Sequence, residues 1–312
     1  MDTYRNPVHD GYFADPFVLA HDGGYVAVGT GSIVDGRVFE VLVSEDLVSW
    51  SSAGGALEPL APEGGTDYWA PEIIERDGTY YLYYSVGTGD VGHHIRVASA
   101  ATPTGPYTDL GVELTTEERF AIDPHPLRAP DGRWYLYFAR DVLEGDRVGT
   151  MLAVGELDDT MTALTGEVHD VLRPTADWQI YERGRRMYGE DRDWHTLEGP
   201  FVCFREGRYW CFYSGGSWRQ SSYAVSWAVS DHPLGPWLSP PDAEPLLRTV
   251  PGRVVGPGHN SVVTTPGGTD VLVYHAWDPE MTRRRLCIDP IVWTPDGPTV
   301  DGPSFEPRPR PA

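Results

Sequence analysis

The sequence predicts an all-β fold and, within that class, a five-bladed β-propeller. Three observations carry the prediction. Five aromatic-rich, strand-like runs each follow a glycine turn, further alternating runs come after several of them, and no long amphipathic helix interrupts the pattern. The first run is Gly24-Tyr25-Val26-Ala27-Val28, with Val38-Phe39-Glu40-Val41-Leu42-Val43 behind it. The second, Gly78 to Tyr84, is followed by Ile95-Arg96-Val97-Ala98, and the third is Gly132 to Phe138. The fourth, Gly207 to Tyr213, precedes Ala224-Val225-Ser226-Trp227-Ala228-Val229, and the fifth is Gly268 to Tyr274. Asp77-Gly78, Asp131-Gly132 and Glu206-Gly207 supply hairpin chemistry, because both central positions of a tight turn favour residues that tolerate positive φ. Three or four strands per unit suit propeller blades better than a sandwich or a solenoid, and residues 1–312 read as one such domain.

The same register selects a second set of positions. Nine residues before the five glycines stand Asp15, Trp69, Asp123, Glu198 and His259, each opening a short run that would be the first and innermost strand of its blade. In a propeller, equivalent positions on innermost strands surround one central channel, so residues distant in sequence are expected to converge there. Three carboxylates gathered in a partly desolvated site raise one another's pKa, which folding alone does not call for. Carboxylates whose pKa values are forced apart are the material of acid and base catalysis, and two of them flanking a glycosidic bond are what its hydrolysis needs.

Composition excludes several other functions. The 46 acidic residues against 24 basic ones give a formal charge of -22, unfavourable for nucleic acid or anionic lipid. The sequence contains no lysine, which removes Schiff-base chemistry and the P-loop lysine. Cys203, Cys211 and Cys287 are odd in number and lie in apolar strand-like contexts, so they are expected to be buried thiols rather than disulfide or zinc ligands. No signal-peptide pattern and no apolar run of membrane-spanning length is present, and the expected location is cytoplasmic.

The motifs Asp15-Pro16-Phe17, Trp69-Ala70-Pro71-Glu72, Ile122-Asp123-Pro124, Glu198-Gly199-Pro200-Phe201 and Gly256-Pro257-Gly258-His259-Asn260-Ser261 resemble, in order, the blade motifs of glycoside hydrolase family 43. The resemblance extends from Asp15 to about Asp289. It implies a five-bladed propeller that hydrolyses arabinose or xylose glycosides with inversion. Asp15 then matches the general base, Glu198 the general acid, and Asp123 the third carboxylate that keeps the acid protonated and placed. His259 matches a histidine near the channel axis, which in many members meets a cation, often calcium, through water. No dense run of oxygen ligands supports a dedicated calcium loop, so the expectation is no required cofactor and at most a structural calcium in the central channel. Arg284 or Arg285 resembles the arginine that contacts sugar hydroxyls.

Trp69 is expected to offer an apolar wall to a sugar face, and Glu72 is grouped with the substrate-binding residues as a supporting or strand-start group. The long interval between the third and fourth hairpins carries Trp178, Tyr181, Arg185, Arg186, Tyr188, Trp194 and His195. This segment, 173–197, is expected either to rim the leaving-group side or to pack as a lid. The expected activity is exo-acting, inverting release of terminal α-L-arabinofuranose from oligosaccharides. A β-D-xylosidase and a non-catalytic carbohydrate-binding propeller are the alternatives.

Overall fold

The computed structural model describes residues 3–312, and these residues form five antiparallel meanders. Blade 1 comprises Phe13–His21, Gly24–Gly31, Val38–Ser44 and Ser51–Leu57, and blade 2 comprises Asp67–Arg76, Thr79–Thr88, Val91–Ala100 and Thr108–Glu113. Blade 3 comprises Ala121–Arg128, Trp134–Val142, Gly149–Leu157 and Leu164–Leu172. Blade 4 contains Glu190–Arg205, Arg208–Gly215 and Ala224–Ser230, and blade 5 runs through Val255–Thr264, Asp270–Trp277, Arg284–Thr294 and Gly297–Val300. The first strands of the five blades touch in a closed circuit, blade 5 meeting blade 1. All described regular structure is strand apart from three short 3-10 turns, and no helix is long and apolar enough to cross a membrane.

Both faces of each sheet are covered by its neighbours, which explains why the strands read as nearly continuous apolar and aromatic runs. Tyr83, Ile95 and Val97 of blade 2 pack on Leu136, Phe138 and Ala153 of blade 3. Tyr25 and Leu42 of blade 1 pack on Val271, Val273 and Ile288 of blade 5. The ring is latched by pairing of Thr3–Tyr4 with Arg308–Pro309 and by the Tyr4 hydroxyl, which donates to the Ile288 carbonyl at 3.1 Å.

The innermost strands share one irregularity that places the functional side chains. Each carries a bulge, between Ala14 and Phe17, Trp69 and Glu72, Ile122 and His125, Glu198 and Phe201, and Gly258 and Ser261. At each bulge one residue has positive φ: Asp15, Ala70, Asp123, Gly199 and His259. Four of the five precede a proline, which is tolerated here because the unpaired bulge position needs no ladder N–H.

The bulges correct the shared offset read from the sequence. The turns of blades 1, 2 and 4 are two-residue hairpins with positive φ at both positions, Asp22-Gly23, Asp77-Gly78 and Glu206-Gly207, so the blade 1 turn glycine is Gly23 rather than Gly24. Blades 3 and 5 turn through one more residue, closed by Ala129–Arg133 and Thr265–Thr269 backbone pairs. The count from turn to bulge therefore differs between blades. Asp15, Asp123 and His259 occupy the bulge itself, whereas Trp69 and Glu198 stand one residue before it.

Candidate active site

At each bulge the backbone N–H of the positive-φ residue needs an acceptor, and in four blades the preceding blade supplies it from its second strand. The Ala70 N–H donates to Thr30 Oγ1 at 2.8 Å, the Asp123 N–H to Ser85 Oγ at 2.9 Å, and the His259 N–H to Ser214 Oγ at 2.7 Å. The Asp15 N–H donates to His275 Nδ1 at 3.1 Å, which leaves the proton of the neutral ring on Nε2. These acceptors are register equivalents, each paired with the residue just before its own blade's bulge. In blade 3 the equivalent residue is Ala139, opposite Ile122, and it has no acceptor to offer. The Gly199 N–H turns instead to Asp123 Oδ2 at 2.9 Å. A missing hydroxyl in the ring is thus what ties the Asp123 carboxylate to the strand that carries Glu198.

Asp15, Asp123, Glu198 and His259 are all buried and line one cavity of about 380 Å³. Burial pushes the Asp15 carboxyl up, but the Arg284 guanidinium, with Nη1 3.1 Å from Oδ1, reverses this and holds it well below the usual carboxylate range. His259 and His275 each place Nδ1 3.4 Å from the same oxygen, yet burial lowers the pKa of both rings, His275 most strongly. Arg284 is therefore the full positive charge that keeps Asp15 ionised near neutrality. Glu198 is pushed up to about 7 by burial, with the Asp15 charge adding to it and the Tyr223 hydroxyl, which donates to Oε1 at 2.6 Å, opposing it. Asp123 is also raised, by burial and by the Glu198 and Asp15 charges, against the Gly199 N–H. The Asp123–Glu198 pair thus retains a proton where Asp15 has none, and its titration belongs to the pair.

The structure divides the sequence-selected residues. Asp15, Trp69, Asp123, Glu198, His259 and Arg284 line the cavity. Trp69 presents its ring from the wall, backed by His93 stacked at 3.6 Å between centroids. Glu72 does not line it. Beyond the bulge the ladder resumes at Glu72, and its buried carboxyl meets His125 Nδ1 at 2.6 Å, whose Nε2 faces the Val202 carbonyl at 2.9 Å. Arg285 is also excluded, because neighbouring residues of a strand face opposite sides: Arg284 turns inward and Arg285 lies 3.6 Å from Asp10 outside. Arg284 is further fixed by the Tyr12 hydroxyl at 2.8 Å and by the Trp218 ring, 4.5 Å from its guanidinium carbon.

Sequence reasoning missed Tyr223, His275, Tyr12, Trp218 and Asp141. His275 was accessible in principle, since it occupies the ring position filled elsewhere by Thr30, Ser85 and Ser214. Tyr223 had no signal, because its contact with Glu198 depends on where the segment just ahead of the third strand of blade 4 comes to lie.

The segment 173–197 is not a loose loop. Ile180–Met187 pairs with the first half of Glu190–Arg205, and that long strand continues without a break through Glu198 into the innermost strand of blade 4. Tyr181, Arg185, Met187 and Trp194 of this hairpin line the cavity, so it is a wall of the site.

The donor set does not fit a calcium held directly by protein side chains; the cation that the resemblance implies would meet His259 through water. Among the described residues no group of three or more His, Cys, Asp or Glu side chains is arranged as metal ligands. The carboxylates nearest the axis are already engaged by Arg284, the Gly199 N–H, Tyr223 and His125. A calcium ion would require six to eight oxygens.

Residues 4–299 match the model of Glycosyl hydrolases family 43. A β-D-galactofuranosidase of Aspergillus niger is 29% identical, over 94% of this chain and 83% of its own length. An extracellular exo-α-(1→5)-L-arabinofuranosidase of Streptomyces avermitilis is 26% identical over 96% of this chain, which spans 64% of that protein's length. A solved thermostable family-43 glycoside hydrolase is 31% identical and superposes with a TM-score of 0.88, covering 99% of both chains. Five bulged innermost strands, an ionised aspartate opposite a proton-holding acid pair and a family match over nearly the whole chain lead to one conclusion: this protein is a glycoside hydrolase and belongs to family 43.

Proposed function

We propose that the enzyme removes terminal α-L-arabinofuranosyl residues from oligosaccharides with inversion at the anomeric carbon. The observation that carries the reading is the electrostatic asymmetry of the cavity, with Asp15 held ionised by Arg284 and the Asp123–Glu198 pair holding a proton. Asp15 takes a proton from a water as that water attacks the anomeric carbon, and Glu198 gives its proton to the departing oxygen on the opposite face. Asp123, anchored by the Gly199 N–H, disfavours loss of that proton through its charge. Arg284 and His259 also line the cavity, and Trp69 gives a ring face for the sugar.

A cavity near the small end of the range for ligand pockets suits a terminal sugar and its neighbour rather than a polymer threading through. The two relatives above act, by their names, on galactofuranose and arabinofuranose, whose β-D and α-L forms share ring configuration and differ in the exocyclic group. A β-D-xylosidase reading draws support from a named β-xylosidase of Xylanibacter ruminicola, 26% identical over 54% of this chain. The para-nitrophenyl α-L-arabinofuranoside, β-D-galactofuranoside and β-D-xylopyranoside separate these readings. The highest kcat/KM is expected on the first, with the β anomer of arabinose appearing first by proton NMR. Retention of configuration, or turnover of the xyloside alone, would overturn the proposal.

A further inference from the structure

We propose that the cavity wall formed by the hairpin Ile180–Met187 with Glu190–Arg205 and by the adjoining edge of blade 3 is a subsite for a leaving group that is itself a sugar. In it Asp141 accepts, and Arg185 donates, hydrogen bonds with that sugar's hydroxyls. The inference rests on the reading of Glu198 as the acid, since an acid must touch the leaving-group oxygen and so marks the side on which the leaving group lies. Glu198 continues the strand of the hairpin, and the Tyr181 phenol on the partner strand lies within electrostatic reach of Glu198, Arg185 and Asp90. Asp141 and Arg185 line the same cavity as Asp15 and Glu198.

Asp141 is a carboxylate the hydrolytic reading leaves unused. Its Oδ1 accepts the Thr150 hydroxyl at 2.8 Å and its Oδ2 the Tyr188 hydroxyl at 2.7 Å, which leaves each oxygen a further lone pair. Burial pushes this carboxyl up, and Arg185 opposes the shift through space without forming an ion pair with it. A desolvated carboxylate held only by two hydroxyls is an unfavourable device for stability alone, and a favourable one for a ligand rich in donors. Arg185 is fixed from three sides: Nη2 lies 3.0 Å from Asp90 Oδ2, and the guanidinium carbon lies 4.7 Å and 5.9 Å from the Tyr181 and Trp194 ring centroids. Its Nε lies 3.8 Å from Glu182 Oε2, beyond hydrogen-bond reach, and the remaining N–H groups are left for a ligand. A carboxylate only accepts and a guanidinium only donates, so a sugar diol satisfies both, whereas a nitrophenol has no such pair of hydroxyls.

The same contacts have a plainer consequence, because they pin the hairpin to the blade 2 turn through Asp90 and to blade 3 through Asp141. A clamp and a subsite are separated by which substrate suffers when a contact is lost. A loosened clamp disturbs the strand that carries Glu198 and slows every substrate, whereas a lost subsite contact slows substrates with a sugar leaving group. The test compares kcat/KM for α-(1→5)-linked arabinobiose with kcat/KM for para-nitrophenyl α-L-arabinofuranoside in the parent, Asp141→Asn and Arg185→Gln. If the parent prefers xylosides, xylobiose and the nitrophenyl xyloside take their place. The disaccharide-to-aryl ratio is expected to fall about 10- to 100-fold in each variant, the range for a lost hydrogen bond to a charged group. A ratio within about twofold of the parent in both variants, including equal losses on the two substrates, overturns the subsite and leaves the hydrolase reading intact. A parent inactive on every aryl glycoside and disaccharide overturns the hydrolase reading itself, and the subsite with it.

Discussion

Replacing Arg284 by Met removes the charge that keeps Asp15 ionised while filling the space among Tyr12, Trp218 and Trp277 with a flexible apolar side chain. The magnitude follows from the 3.1 Å separation of Arg284 Nη1 and Asp15 Oδ1. At an effective dielectric constant of about 20 such a pair is worth about 5 kcal/mol, or about four pKa units. Both side chains are buried, so solvent screening does little to reduce this. Burial lowers the pKa of the two histidines beside Asp15 and Arg284 adds to that lowering, so its loss raises both rings and offsets part of the effect on Asp15. Loss of Arg284 should therefore carry the Asp15 carboxyl from well below the usual carboxylate range to its upper side, and the base becomes protonated in mildly acidic solution. Measured as kcat/KM on the aryl glycoside between about pH 4 and 7, the parent should show no acid limb from Asp15 and the Met variant should show one. Arg284→Lys, which keeps a charge without the planar fork, should restore the flat acid side even if turnover stays low. An acid limb at the same pH in parent and Met variant would refute the assignment of Arg284 as the charge that sets the base.

The remaining predictions concern the acid pair and the ring of backbone acceptors. The parent's kcat/KM should fall as pH rises through about 7, where Glu198 loses its proton, with the profile fitted for the pair rather than one residue. Glu198 has a raised folded-state pKa, so its contribution to stability is present below the ordinary carboxylate value and is lost as pH rises through about 7. Glu198→Gln should consequently melt higher than the parent at alkaline pH by calorimetry, and should lose about 10²- to 10⁴-fold in kcat on a disaccharide, with a smaller loss on the nitrophenyl glycoside, whose leaving group needs less protonation. Ala139→Ser supplies blade 3 with the hydroxyl that three other blades use, so the Gly199 N–H can leave Asp123; kcat should drop about tenfold with little change in melting temperature, and an unchanged kcat would show that the N–H does not position Asp123.

Much of the candidate site was legible because a propeller repeats its register. Asp15, Asp123 and His259 each occupy the bulge of an innermost strand, and Asp15 shared the offset of the other two only because it was counted from Gly24 rather than from the turn glycine Gly23. Trp69 and Glu198 reached the same cavity from one residue earlier, and their apparent agreement arose because two-residue and longer turns differ in length. Glu72 was misplaced because sequence distance from a bulge does not reveal on which side of the channel mouth the ladder resumes.

The all-β class, the five-fold repeat and the convergence of Asp15, Asp123 and Glu198 in one cavity could be read along the chain, because strand alternation and turn chemistry are local and recur in every blade. Which carboxylate is ionised, which arginine faces inward, and the presence of Tyr223, His275 and Asp141 at the site emerge from the packed blades. Those properties depend on desolvation and on charges brought within about 3–4 Å by blades far apart in the chain, and energies that vary so steeply with distance have no counterpart in a one-dimensional spacing.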